Sequence, residues 1–74
     1  MKANEIVRTI MTEQDIGPTK LANRLGKITR LVTDRLNISN PTVEKLQELL
    51  KVLDYKIVIM PAGAKLPKDS YEVE

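Results

Sequence analysis

The chain has 74 residues, enough for one small domain, and a domain of this size buries only about 60% of the surface that its unfolded chain exposes. It contains no Cys, His, Phe or Trp and only two tyrosines, which excludes disulfides, thiolate or imidazole metal ligands and histidine acid–base chemistry, and leaves a core of Leu, Ile and Val. The net charge of +2 is uneven: from Lys20 to Arg35, Lys20, Arg24, Lys27, Arg30 and Arg35 stand against Asp34 alone, whereas Leu36–Glu74 is nearly balanced. A local basic patch of this kind suits a phosphate-facing surface.

Along Ala3–Glu13, Ala3, Ile6, Val7, Ile10 and Met11 recur at the spacing of a helix with one buried stripe. Glu5 and Arg8 interrupt any apolar run there, so the start does not read as a signal peptide, and a cytoplasmic location is expected. Gln14–Gly17 breaks the period, with Gly17 supplying the left-handed residue that a tight link needs. Pro18 opens a second helix as its first residue. Leu21, Ala22 and Leu25 form its inner face and Gly26 ends it.

A third helix starts near Ile28 or Thr29 and ends near Asn37. Ile28, Leu31, Val32 and Leu36 fall on one side of it, and Thr29, Arg30, Thr33, Asp34 and Asn37 on the other. Ile38–Pro41 is a loop, and Thr42 is a suitable N-cap for a fourth helix with the stripe Val43, Leu46, Leu49, Leu50 and Leu53. Tyr55–Met60 (YKIVIM) is short and β-branched, which predicts a strand. Pro61–Ala64 stops it, and positions 62–74 are expected to form a flexible tail after a domain over 1–61.

The informative unit is Pro18–Asn37: a short helix, a glycine turn and a second short helix, with the spacing of a helix-turn-helix. Ala22 is small enough for close crossing, Gly26 permits the abrupt turn, and Leu21, Leu25 and Val32 hold the angle. Such a pair pushes the outer face of its second helix clear of the body, where it fits a DNA major groove. Thr29, Arg30, Thr33, Asp34 and Asn37 are then the candidate base-reading residues. Arg30 suits guanine, the threonines a hydrogen bond or a thymine methyl, and Asn37 adenine or a phosphate. Asp34 suits cytosine or, preferably, an ion pair with Arg30 one turn earlier. Thr19, Lys20, Lys27, Ser39 and Asn40 are placed to meet phosphates.

The stretch from Ile6 to Pro61 resembles the XRE/Cro-type phage-repressor family of helix-turn-helix regulators, in particular short prophage and plasmid members. The residues that carry the resemblance are LANRLG (Leu21–Gly26), DRLN (Asp34–Asn37) and TVEKLQELLKVLDYKIVIMP (Thr42–Pro61). It implies a mainly α, four-helix phage-repressor-like domain with one C-terminal β-strand. It also implies a regulator, most often a repressor, that binds a palindromic operator in double-stranded DNA as a homodimer. Lys27 stands where the family usually has an apolar residue after the turn glycine, and Pro18 and Thr19 where a glutamine is usual. The expected accommodation is that Ile28 fills the apolar slot and Thr29 caps the third helix.

A strand needs an edge, and no second strand is evident. The economical partner is the same strand of another copy, paired about a two-fold axis, which makes Tyr55, Ile57, Val58, Ile59 and Met60 the dimerisation residues. Folding back over the chain's own helices is the other arrangement. Either Val58 and Met60 or Ile57 and Ile59 face the core. A rival reading is an antitoxin-like module that neutralises a partner protein (a toxin, or otherwise an antirepressor), with Leu66, Tyr71 and Val73 as its apolar anchors. No cofactor or metal is expected, and no catalytic residue is apparent.

Overall fold

The computed structural model describes residues Met1–Glu74 and contains four helices: α1 (Ala3–Glu13), α2 (Pro18–Leu25), α3 (Thr29–Leu36) and α4 (Val43–Lys51). No helix is long and apolar enough to cross a membrane. The five apolar residues of α1 are all buried, together with Leu21, Ala22, Val32, Leu36, Leu46, Leu49, Leu50 and Leu53. Ile16, from the link between α1 and α2, completes this aliphatic core. α2 and α3 pack closely on each other, α1 contacts α3 and α4, and α2 contacts α4 as well. Each of the first two helices thus packs against both of the last two.

Each helix end has a chemical reason. At the start of α1 the Lys2 N–H donates to the Glu5 carboxylate at 2.8 Å, which satisfies one of the orphan donors of a helix N-terminus. The left-handed residue after α1 is Asp15 (φ 56°), not Gly17, which is extended at φ −86°, ψ 172°. Aspartate tolerates this conformation because its short polar side chain can bond locally. Gly17 instead serves as the N-cap of α2, just before Pro18. Gly26 does take the left-handed conformation (φ 68°), and the Lys27 N–H closes the turn on the Ala22 carbonyl at 3.0 Å. At α4 the Thr42 hydroxyl accepts from the Lys45 N–H at 3.2 Å.

Two apolar positions depart from the periodic reading. Ile28 is not in the core: it is the extended N-cap residue of α3 and is 69% exposed, while Thr29 is the first helical residue and not the cap. Val43 is 67% exposed, because the stripe of α4 runs off the edge of the body at its first turn.

Beyond α4, Asp54 is left-handed (φ 64°), and the Tyr55 N–H returns to the Leu50 carbonyl at 2.9 Å. Tyr55–Met60 then forms no strand within the chain. No N–H or C=O of Lys56–Met60 is bonded to another backbone group, since no second segment lies alongside to complete a ladder. Tyr55 and Ile57 pack against the core, whereas Val58 and Ile59 point away from it. The last ten residues have no regular secondary structure, yet they are not wholly free. Tyr71 packs on the core and lies 6.3 Å from Tyr55 between ring centroids, its hydroxyl donates to the Glu13 carboxylate, and the Glu74 N–H reaches the Met1 carbonyl at 3.0 Å.

Candidate nucleic-acid interface

The side chains that position α3 act on its C-terminal half. The Leu36 carbonyl, an orphan acceptor at the helix end, receives Asn4 Nδ2 at 2.9 Å and Arg8 Nη2 at 3.1 Å. The same Arg8 nitrogen donates to Asn37 Oδ1 at 2.9 Å. Arg35 in the last turn pairs with Glu48 of α4 at 3.2 Å, and its positive charge also suits the negative end of the helix dipole. Val32 and Leu36 are buried beneath.

The outer face of the first six residues of α3 is left open. Thr29, Arg30, Thr33 and Asp34 are all exposed, and their one side-chain hydrogen bond runs from the Thr33 hydroxyl to the Thr29 carbonyl at 3.1 Å. This leaves the Thr33 methyl group and oxygen lone pairs available. Arg30 and Asp34 do not form the expected pair: the ion pairs of the chain are Met1–Glu74 and Arg35–Glu48. An exposed pair gains little Coulomb energy for the side-chain entropy it costs, and a base four residues before an acid is the less favourable order on a helix. Arg30 therefore keeps all its donors. Asn37 is exposed but its carbonyl oxygen is held by Arg8, so in this arrangement it does not offer both groups of its amide to adenine.

Thr19, Lys20, Lys27, Ser39 and Asn40 are exposed too, and their side chains make no hydrogen bond or ion pair within the chain. Thr19 and Lys20 lie in the first turn of α2, Lys27 follows the Gly26 turn, and Ser39 and Asn40 lie in the loop before α4. Of the five basic residues between positions 20 and 35, only Lys20, Lys27 and Arg30 are unengaged. Arg35 is tied to Glu48, and Arg24 Nη1 caps the C-terminal end of α4 by donating to the Val52 carbonyl at 3.2 Å.

A second surface lies at the C-terminal end of the chain. An apolar cleft of about 640 Å³ is bounded by Ile6 and Ile10 of α1, Leu46 and Leu50 of α4, the Tyr55–Met60 segment and the tail around Tyr71. Of the expected dimerisation residues, Tyr55, Ile57 and Met60 are half-buried along it, Val58 is exposed, and Ile59 is 97% exposed. Ile57 is thus the inward residue, and Ile59, two positions on, does not share its burial.

The residues that hold this arrangement together were not evident from the sequence. Asn4 and Arg8 are one example, and Gln14, whose Nε2 donates to the Leu53 carbonyl at 2.8 Å, is another. Asn4 and Arg8 stand four apart on one face of α1, a spacing that signals a shared partner without naming it. In comparisons with protein-family models, curated proteins and solved structures, none matches the chain.

Proposed function

We propose that this protein is a sequence-specific DNA-binding transcriptional regulator of the phage-repressor type, in which α2, the Gly26 turn and α3 act as a helix-turn-helix. The observation that carries the reading is the state of α3: its C-terminal end, from Arg35 on, is tied to α1 and α4, and the outer face before it presents Thr29, Arg30, Thr33 and Asp34 with no side-chain partner outside the helix. That is the part of a recognition helix that contacts base edges. Arg30 has the free guanidinium that a guanine O6/N7 contact needs. Lys20 and Lys27, with Thr19, Ser39 and Asn40, would neutralise or bond phosphates on either side, and affinity would fall steeply with salt.

The same reading makes the protein a homodimer on a palindromic site. The unpaired backbone of Lys56–Met60 and the exposed Ile59 support pairing of this segment, as a strand, with its copy about a two-fold axis. Selection of bound sequences from a random DNA pool at near-physiological salt tests the whole proposal. A palindromic consensus supports it, and the absence of any enriched sequence removes it. Ile59→Asp places a charge in the proposed strand pair and should convert the dimer to a monomer in sedimentation. A dimer that survives this change does not pair through this segment.

A second reading, the antitoxin-like module, is favoured by one observation: the apolar cleft is partly lined by tail residues Leu66 and Val73, which are themselves about half exposed. A co-transcribed toxin-like reading frame beside the gene would favour that reading.

A further inference from the structure

We infer that Ile28 is a specificity-determining residue that recognises the methyl group of a thymine, an inference that rests on the DNA-binding reading above. Ile28 is the N-cap residue of α3, with an extended backbone, and at 69% exposure it is the most exposed large apolar side chain between α1 and α4. Neither of the ordinary reasons for an isoleucine applies here. It does not belong to the hydrophobic core or to the half-buried residues packed against it. It cannot serve as a cap either, because an aliphatic side chain offers no acceptor to the first N–H groups of the helix, and isoleucine is among the least suited residues at this position. α3 accordingly starts with no side-chain cap bond.

Its neighbours in the chain are also open to solvent. Lys27 precedes it and Thr29 and Arg30 follow it, all exposed and with side chains that make no hydrogen bond or ion pair within the chain. An apolar group set among free cationic and hydroxyl groups at the open end of α3 would lie in the groove when Arg30 contacts a base. On the major-groove edge of a base pair, the group that an aliphatic side chain recognises is the C5 methyl of thymine. Arg30 would then read a guanine and Ile28 an adjacent or nearby thymine of the same half-site.

The test uses the full chain and three variants: Ile28→Val, Ile28→Ser and Arg30→Ala. Binding sites are selected from a random DNA pool with the unaltered protein, and each thymidine of the selected half-site is then replaced in turn by deoxyuridine, which removes only the methyl group. One such replacement should weaken binding by the unaltered protein about fourfold, the worth of one buried methyl group. Ile28→Val should keep that sensitivity. Ile28→Ser should lose it at that position alone, while unfolding at a higher temperature because serine caps α3. Arg30→Ala should lose preference at a different base pair. If the pool yields a consensus but Ile28→Ser keeps every thymine preference and the same response to deoxyuridine, the role of Ile28 is overturned and DNA recognition stands. If the pool yields no consensus, DNA recognition falls and the role of Ile28 falls with it.

Discussion

The two ends of α3 differ in where their polar partners come from. At the C-terminal end, the Leu36 carbonyl, Asn37 and Arg35 are held by Asn4, Arg8 and Glu48, residues from α1 and α4. At the N-terminal end, the only side-chain bond is internal to the helix, from Thr33 to Thr29. The C-terminal third of the chain repeats this contrast. Tyr71 is tied to Glu13 and packed near Tyr55, while Ile59 stands almost fully in solvent. In both places an anchored stretch adjoins an open one, so the open residues are presented from a fixed base and lose less conformational entropy on binding than a free loop would.

The anchored end should show the largest effect. Asn4→Ala or Arg8→Ala alone should cost about 1 kcal/mol in denaturant unfolding, because the other donor still reaches the Leu36 carbonyl, whereas the double variant should cost about 3 kcal/mol. Simple additivity of the two would mean that the carbonyl finds water and that the anchor is weaker than its geometry indicates. At the open end the result should reverse. Arg30→Ala should leave stability within about 0.5 kcal/mol, yet lose about 1–3 kcal/mol of discrimination at one base pair. An unchanged sequence preference would remove Arg30 from base reading. Lys20→Ala should weaken binding similarly across sequences and flatten the salt dependence by about one unit of slope. An unaltered slope would take Lys20 off the phosphates.

The smallest effect concerns the tail. The Tyr71 hydroxyl is pushed up from 10.0 to about 12, first because it donates to the Glu13 carboxylate and second because packing partly desolvates it. The protonated form is the one favoured in the folded protein. Its contribution to stability is therefore complete below pH 10 and is lost as the pH rises through about 12. In a Tyr55→Phe background, which leaves one phenol, Glu13→Gln should bring the phenolate midpoint down toward 10. A midpoint still near 12 would show that Glu13 is not what holds the tail.

What could be read in advance from the residues was what depends on near neighbours. The stripe of α1, the proline start of α2, the left-handed Gly26 and the Thr42 cap are all set within a turn or two, and all lie where spacing puts them. Ile28 and Val43 match the helical period yet face solvent, because periodicity assigns a side but not where a helix overhangs its neighbours. The proposed base-reading face was legible only as a set of exposed positions on one side of α3. The engagement of Asn37 by Arg8, and of Arg24 and Arg35 by α4, was not, because those partners are separated in sequence and meet only after folding. Tyr55–Met60 has the composition of a strand, but a strand also requires a neighbour, and composition does not supply one.

The position of the two tyrosines has a spectroscopic consequence. With no Trp or Phe in the chain, Tyr55 and Tyr71 are its only aromatic chromophores, and they stand side by side on the C-terminal third. Tyrosine emission, phenol absorbance and near-ultraviolet circular dichroism therefore all report on the docking of the tail, and the aliphatic four-helix body is silent in each. Far-ultraviolet dichroism follows the helices alone. Melting curves recorded by the two methods would coincide if tail and body unfold together, and would separate by the amount that the tail lets go first.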